Sequence, residues 1–243
     1  MNWHNRYVQQ AAWTRRLRLH LFERAGLGGA RRVLEVGCGT GAILADLSTP
    51  ASIHGLDLAA DSLLQARLHA PAARLTRGDA LALPYPWPGF DITCCHFLLL
   101  WVSDPLQALS EMKRVTRPGG YVLALAEPDY TGRIDEPEDL APLGRWQTES
   151  LRRQGADPGL GRQLADLFYR AGIAILETGP MQAEAGQALT AAERENEWSV
   201  LEADLAGTVP EHELSKLKLA DARAWSLGTR RLHVPTYFAC GQV

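Results

Sequence analysis

Cysteine is scarce in this chain, and its spacing gives no support for a metal site. Only four cysteines occur among 243 residues, and none belongs to a CxxC pair. No histidine stands at a zinc-binding spacing either. Cys94 and Cys95 are neighbours in a predicted strand, so their side chains point to opposite faces. We interpret both as small buried residues and expect no bound metal.

A long apolar run and an excess of one charge are also missing. No apolar run reaches the roughly 20 residues that span a membrane, and the first ten residues, MNWHNRYVQQ, contain no apolar signal core. The formal net charge is −3, which argues against nucleic acid or an anionic membrane as a partner. We therefore expect a cytoplasmic protein, monomeric or homodimeric, whose partner is a small molecule.

Strand-like and helix-like segments alternate along most of the chain. After a helix predicted at residues 7–24, strands recur with helices between them, and a helix begins with Pro105 after Asp104. Repeated βα units of this kind form a parallel sheet with helices on both faces. The predicted strands are RVLEV, SIHGLDL, ARLTRGDA, FDITCCHF, YVLALAEP, IAILETG and HVPTYFACG.

The last part of the chain adds helices that a minimal fold of this class does not need. Residues 190–206 and 210–227 have helical apolar spacing. Thr190 followed by Glu193 has the pattern of a capping box, which predicts a helix start at this point.

The segment VLEVGCGTGA, residues 33–42, is the clearest functional signal. Its glycines follow a strand and open a helix, as in the dinucleotide fingerprint G-x-G-x-x-G/A. However, Glu35 stands two residues before the first glycine, where it would repel a pyrophosphate. A ligand with an amino group and a sulfonium has the opposite charge. Glu35 therefore favours S-adenosylmethionine over NAD.

Two further carboxylates follow predicted strands. Asp57 stands 20 residues after Gly37, a spacing that suits the ribose hydroxyls of either cofactor. Asp79, followed by Ala80, ends the third strand, where a carboxylate can accept from an adenine amino group. NAD enzymes do not need an acid at that point, so Asp79 also favours S-adenosylmethionine.

With these residues the chain resembles the class I S-adenosylmethionine-dependent methyltransferases of the small-molecule type. The motifs that carry the resemblance are VLEVGCGTG, LDL, GDA and FDITCCHFLLLWVSDP. It covers roughly residues 30–128 and, more loosely, 160–182 and 232–240. The resemblance implies an α/β fold with a Rossmann-like, doubly wound, seven-stranded and mostly parallel sheet whose last strand is antiparallel. It also implies a set of cofactor-binding residues: Glu35, Gly37, Cys38, Gly39, Asp57, Leu58, Asp79, Ala80 and His96.

The remaining segments are expected to build the acceptor side of a single methyltransferase domain, residues 1–243. Ligands of open parallel sheets bind at the carboxyl ends of the strands, and helical cap insertions at 129–160 and 180–230 leave the sheet at that edge. Together with the N-terminal helix, 1–26, they are predicted to form the acceptor pocket. The arginines of that helix, Arg15, Arg16 and Arg18, are expected on a solvated face, with the alternative that one of them reaches the cofactor carboxylate. The candidate substrate residues are Tyr7, Trp13, Tyr130, Arg133, Trp146 and Trp198, with the last two as apolar walls.

The predicted activity is methyl transfer from S-adenosylmethionine to a small organic acceptor. Methylation at oxygen, nitrogen or carbon stays open, and so does the use of a general base. Four residues are weak candidates for a catalytic role: His96, Asp129, Tyr130 and His233. The alternatives are a catalytically silent S-adenosylmethionine-binding protein and an NAD-dependent oxidoreductase.

Overall fold

The computed structural model describes residues 3–182 and 189–243. Its strands are β1 (Arg32–Val36), β2 (Ser52–Asp57), β3 (Arg74–Arg77), β4 (Phe90–Cys95), β5 (Thr116–Pro128), β6 (Ile134–Glu136), β7 (Ala174–Pro180), β8 (Arg231–His233) and β9 (Thr236–Gln242). Its helices are α1 (Trp3–Trp13), α2 (Arg15–Arg24), α3 (Ala42–Asp46), α4 (Ala60–His69), α5 (Pro105–Val115), α6 (Ala141–Arg153), α7 (Leu164–Arg170), α8 (Ala191–Leu205) and α9 (Glu211–Ser226).

Seven strands form the central sheet, in the order β3-β2-β1-β4-β5-β9-β7. β1 pairs in parallel with β2 and β4, and β3 and β5 extend the parallel arrangement on the two sides. β9 is antiparallel to both of its neighbours, β5 and β7. The predicted fold class is therefore confirmed. The strand order reverses between β1 and β4, which creates a crevice at their carboxyl ends.

Both faces of the sheet are covered, which explains why every residue of β4 is buried. Cys94 packs in the cluster that contains Leu21 and Phe22 of α2, whereas Cys95 packs in the cluster that contains Leu109 of α5. Both cysteines are fully buried, as their alternation in the strand predicts.

The N-terminal segment forms two helices where a single helix, 7–24, was expected. The break lies at Thr14, whose hydroxyl donates to the carbonyls of Gln10 (3.2 Å) and Ala11 (3.4 Å), a type of bond that bends helices. The solvated position expected for Arg18 is also wrong. Arg18 is buried and donates to the Ala11 carbonyl (2.8 Å) and to Asp46 Oδ2 (2.9 Å), so its charge is compensated inside the protein.

A helical cap with its own core lies beyond the main sheet. β6 and β8 pair as a small antiparallel ribbon, and α6, α8 and α9 pack near it. The capping box of Thr190 and Glu193 is present at the start of α8, as predicted. Residues 183–188 of the predicted insertion lie outside the described residues. The buried residues of the cap core are Leu140, Leu143, Trp198, Leu201, Leu205, Leu214, Leu217 and Ala224.

The predicted seventh strand, HVPTYFACG, is divided between β8 and β9. Pro235 lies between them, where its missing N–H cannot join a ladder. Within residues 3–182 and 189–243, no helix combines the length and apolar character needed to cross a membrane.

Candidate active site

The glycine loop after β1 lies against β2 and against the N-terminal helix. Gly37 and Cys38 donate their N–H groups to the Leu56 carbonyl at 2.7 and 2.9 Å. Gly37 has a φ of +73° and Gly39 a φ of +51°, a region that favours glycine. A Cβ on Gly39 would lie 3.2 Å from the Tyr7 ring. The loop therefore needs glycine for its backbone conformation and for the close approach of α1.

Glu35 is a buried carboxyl group in β1 with an unused oxygen. Its side chain is 2% exposed, and Oε2 has no hydrogen-bond partner among the residues that the structure describes. Burial raises the pKa of Glu35 to about 8, although the positive charge of Arg18 opposes this shift. An unpaired buried oxygen of this kind is costly unless a ligand supplies a donor.

A cavity of about 410 Å³ opens at the carboxyl ends of β1, β2 and β4. Asp57 lines one side of this cavity. Its Oδ2 accepts from Gly39 N at 2.7 Å, and its Oδ1 accepts from Ala59 N at 2.8 Å. Each oxygen keeps a further lone pair for a ligand. Six of the residues predicted to bind the cofactor line this cavity: Glu35, Gly37, Cys38, Gly39, Asp57 and His96.

His96 follows β4 and shares a hydrogen bond with Thr14 Oγ1 at 2.9 Å. Burial, with the positive charge of Arg18 as a second cause, lowers the pKa of His96 to about 3. The imidazole is therefore neutral at physiological pH. The next residue, Phe97, also lines the cavity and has a φ of +53°, a conformation that costs free energy for a side chain of this size.

The opposite side of the cavity is built by the N-terminal helix and the cap. The cavity-lining residues of α1 are three or four positions apart in the sequence, so they lie on one face of the helix. α6 and α8 contribute further residues to this side of the cavity. The residues that line this side of the cavity are Trp3, Arg6, Tyr7 and Gln10 of α1, Leu151 of α6, Gln154 just after α6, Val200 and Asp204 of α8, and Tyr130.

Comparisons with known proteins agree with this arrangement. Residues 34–124 match the family profile of a methyltransferase domain. The chain is 37% identical over 156 residues to malonyl-[acyl-carrier protein] O-methyltransferase of Erwinia pyrifoliae, an alignment covering 62% of this chain and 60% of that protein. It is 41% identical over 105 residues to demethylmenaquinone methyltransferase of Deinococcus radiodurans, covering 40% of this chain and 44% of that protein.

A solved structure from Bacillus halodurans, described as a candidate methyltransferase, has the same fold. It superimposes with a TM-score of 0.64 at 16% identity and covers 92% of this chain and 97% of its own. The family profile and the curated relatives support the assignment of residues 34–124 to a class I S-adenosylmethionine-dependent methyltransferase domain. The chain spans 44–60% of the length of the two curated relatives above.

Three of the predicted cofactor residues lie outside the described cavity. Leu58 is 64% exposed. Asp79 accepts the N–H of Leu81 at 2.9 Å, and Ala80 is buried in the main core. All three lie at the ends of β2 and β3, next to the cavity along the sheet edge, and Gly78 N donates to the Asp57 carbonyl at 3.0 Å.

Two of the four catalytic candidates also lie elsewhere. Asp129 is buried, and its carboxylate accepts from Thr131 N (3.0 Å) and from Arg162 Nε (2.7 Å). His233 is paired with Ile134 in the β6–β8 ribbon. Only His96 and Tyr130 of this group line the cavity among the described residues.

The remaining substrate candidates belong to the supports of the site. The guanidinium of Arg6 lies 4.9 Å from the centre of the Trp13 ring, and Arg133 is buried in an ion pair with Asp135. The two tryptophans expected as pocket walls, Trp146 and Trp198, pack in the cap core. Their apolar faces pack against α9 and the start of α6 because this contact removes apolar surface from water.

Glu127, near the end of β5, supports the site without lining the described cavity. It is fully buried and accepts from the N–H groups of Leu98 (2.9 Å), Leu99 (3.0 Å) and Leu100 (3.4 Å). Burial raises the pKa of Glu127 to about 7, opposed by these N–H groups. Glu127 thereby holds the turn after β4 that supplies Leu98 and Leu100 to the cavity.

Proposed function

We propose that the chain transfers a methyl group from S-adenosylmethionine to a small organic acceptor. The observation that carries this proposal is the unpaired Oε2 of Glu35, buried at the wall of a cavity of about 410 Å³. An ammonium group on the ligand would satisfy that oxygen and offset its burial. A pyrophosphate offers this oxygen no donor and would be repelled by the ionised form of Glu35, which argues against NAD.

The cofactor end is assigned to the β1, β2 and β3 side of the cavity. Glu35 and the glycine loop would take the amino-acid portion, and the free lone pairs of Asp57 would accept from the ribose hydroxyls. Asp79 and Ala80, with exposed Leu58 beside them, would frame the adenine at the open edge of the sheet. Residues at three strand ends then hold one extended ligand.

S-adenosylmethionine bound here supplies an electrophilic methyl group. The chain's own residues contribute mainly placement, because strong bases are scarce among the residues that line the described cavity. His96 is a weak base with a pKa of about 3, and burial raises the pKa of Tyr130, so its hydroxyl stays a hydrogen-bond donor. We infer that alignment of a nucleophile that is already reactive provides most of the rate acceleration.

The acceptor end is assigned to α1, Tyr130, α6 and α8. Val200 and Asp204 of α8 lie in the cavity wall, which supports the role of the 180–230 insertion as part of a roof. The 129–160 insertion contributes Tyr130 and Gln154. We therefore propose that residues 1–243 form one methyltransferase domain with two cap insertions.

Ligand-dependent thermal unfolding tests the cofactor, and mass spectrometry tests the transfer. S-adenosylhomocysteine at 100 times its Kd should stabilise the fold by about 2.7 kcal/mol, whereas NAD should have no effect. Incubation with S-adenosylmethionine and an acceptor library should give a product heavier by one methylene group. Stabilisation by NAD alone would contradict the cofactor assignment. Cofactor binding without any methylated product across the library would favour a silent binding protein.

A further inference from the structure

The acceptor end of the cavity carries one carboxylate without a cationic partner. Asp204 is held by two neutral amides: Gln147 Nε2 donates to its Oδ2 at 3.0 Å and Gln154 Nε2 to its Oδ1 at 3.3 Å. Among the residues that the structure describes, no ion pair involves Asp204. Asp204 itself lines the cavity, so part of its acceptor capacity is open to a ligand.

Behind Asp204, four buried charges of the cap are paired with one another. Gln147 accepts from Arg133, which forms a two-point ion pair with Asp135 at 2.7 and 3.0 Å. Arg230 bridges Asp135 and Asp221, with Nη2 2.6 Å from Asp135 Oδ1. The two arginines and the two aspartates balance in charge and are almost fully buried. None of these four charges forms an ion pair with Asp204, so the negative charge of Asp204 stays unpaired at the cavity wall.

Arg6, the arginine in the wall of the described cavity, already has an anionic partner. Arg6 forms a largely buried ion pair with Glu197 of α8. The two carboxylates on the opposite side, Glu35 and Asp57, belong to the proposed cofactor end. Without a ligand, the acceptor end thus has a net charge of about −1, a field that favours a cation.

Aromatic rings line the same cavity. Their π faces attract cations, and ammonium groups are often bound in such aromatic surroundings. Five aromatic residues line the cavity: Trp3, Tyr7, Phe97, Trp101 and Tyr130. Trp3 and Trp101 are each about half exposed, so they lie at its mouth.

We propose that the methyl acceptor is a small molecule that carries a cationic amine, whose ammonium group is bound by Asp204 within this aromatic lining. The ammonium group serves as an anchor, and the methyl group goes to another atom of the acceptor that has a free lone pair. This inference rests on the proposed function, since it assigns the other end of the cavity to S-adenosylmethionine. Asp204 is a specificity-determining residue here. The network from Gln147 to Trp198, whose Nε1 donates to Asp221 Oδ2 at 2.8 Å, orients it.

Matched pairs of probes test this inference by direct binding. The pairs are choline with 3,3-dimethyl-1-butanol and 2-phenylethylamine with 2-phenylethanol, which differ mainly in charge. Titration calorimetry with the S-adenosylhomocysteine complex should give at least tenfold tighter binding for each amine, equivalent to about 1.4 kcal/mol. In Asp204→Asn, the preference should fall below threefold, because the amide keeps the shape but not the charge.

Glu202→Gln is the matched control. Glu202 lies on the same helix, is exposed and pairs with Lys218 at 2.9 Å, so its variant should keep the full preference for amines. Equal binding of amines and alcohols, or no amine binding at millimolar concentration, would overturn the inference even if S-adenosylhomocysteine binds. Titrating the same pairs without S-adenosylhomocysteine separates this result from failure of the proposed function.

Discussion

At the scale of single residues, a buried carboxyl group with a raised pKa binds a cation only after it loses its proton. With a pKa of about 8, roughly nine of ten Glu35 side chains are protonated at pH 7. The ammonium group of S-adenosylhomocysteine favours the ionised form. We therefore expect binding at pH 7 to release nearly one proton. Calorimetry in two buffers of different ionisation enthalpy measures that number.

The Glu35→Gln variant provides the control for proton release. The amide cannot titrate, so its binding enthalpy should be independent of the buffer, and its Kd should be at least tenfold weaker. Proton release of equal size in the variant would mean that another group is responsible.

A second residue-scale prediction concerns Asp57. Bonds from ribose hydroxyls to a carboxylate contribute roughly 1.5–3 kcal/mol each, so Asp57→Ala should weaken S-adenosylhomocysteine binding tenfold or more. The loss of the bond from Gly39 N adds to the effect by loosening the loop. Calorimetry of the variant measures this, and Asp61→Ala on the first turn of α4 is the control. Unchanged affinity in Asp57→Ala would refute its role.

At the scale of elements, we expect the packing of α8 against α9 to affect the proposed acceptor end but not the proposed cofactor end. Trp198 is 5% exposed in the cap core, whereas the cofactor residues lie at the ends of β1 and β2. Trp198→Ala should lower the free energy of unfolding by about 3–5 kcal/mol. It should also change the acceptor KM more than the Kd of S-adenosylhomocysteine, because Val200 and Asp204 are on the same helix.

Urea unfolding, calorimetry and steady-state kinetics measure these three quantities. Leu219→Ala is a suitable comparison, since Leu219 lies on α9 but is 74% exposed, and its loss should cost little. An equal loss of cofactor and acceptor affinity in Trp198→Ala would contradict the separation of the two ends.

At the scale of the whole molecule, buried carboxyl groups set the pH dependence of stability. The pKa values of Glu35 and Glu127 rise from 4.5 to about 8 and about 7. Their contribution to stability is full below pH 4.5 and is lost as the pH rises through those values. The lowered pKa of His96, about 3 against 6.5, acts in the opposite direction, but only below pH 6.5. The window from pH 6.5 to 8 therefore isolates the glutamates.

In that window the free energy of unfolding should fall as the pH rises. The slope for one proton is about 1.4 kcal/mol per pH unit, and urea titrations at several pH values measure it. Glu35→Gln should give a flatter profile above pH 7, where Glu127 contributes less. A profile that rises between pH 6.5 and 8 would contradict the direction of both shifts.

The sequence by itself determined the parts of the protein that depend on local chemistry. Alternating strand and helix patterns predicted the order of the main sheet elements, because period and turn residues act over short distances. The helix starts at Pro105 and Thr190 followed from their capping residues. The glycine loop, with Glu35 before it, placed the cofactor end at the ends of β1 and β2, because parallel strands bring their carboxyl ends to one edge.

Only the tertiary structure decided which side chains meet at the proposed acceptor end. The helical spacing of Trp3, Arg6 and Gln10 was present in the sequence, but a spacing does not say what a helix face covers. Trp198 was expected in a pocket wall, yet its ring packs in the cap core and Asp204 faces the cavity instead. The physical reason is that contacts between distant insertions depend on how their apolar faces fit together, and this fit is absent from local patterns.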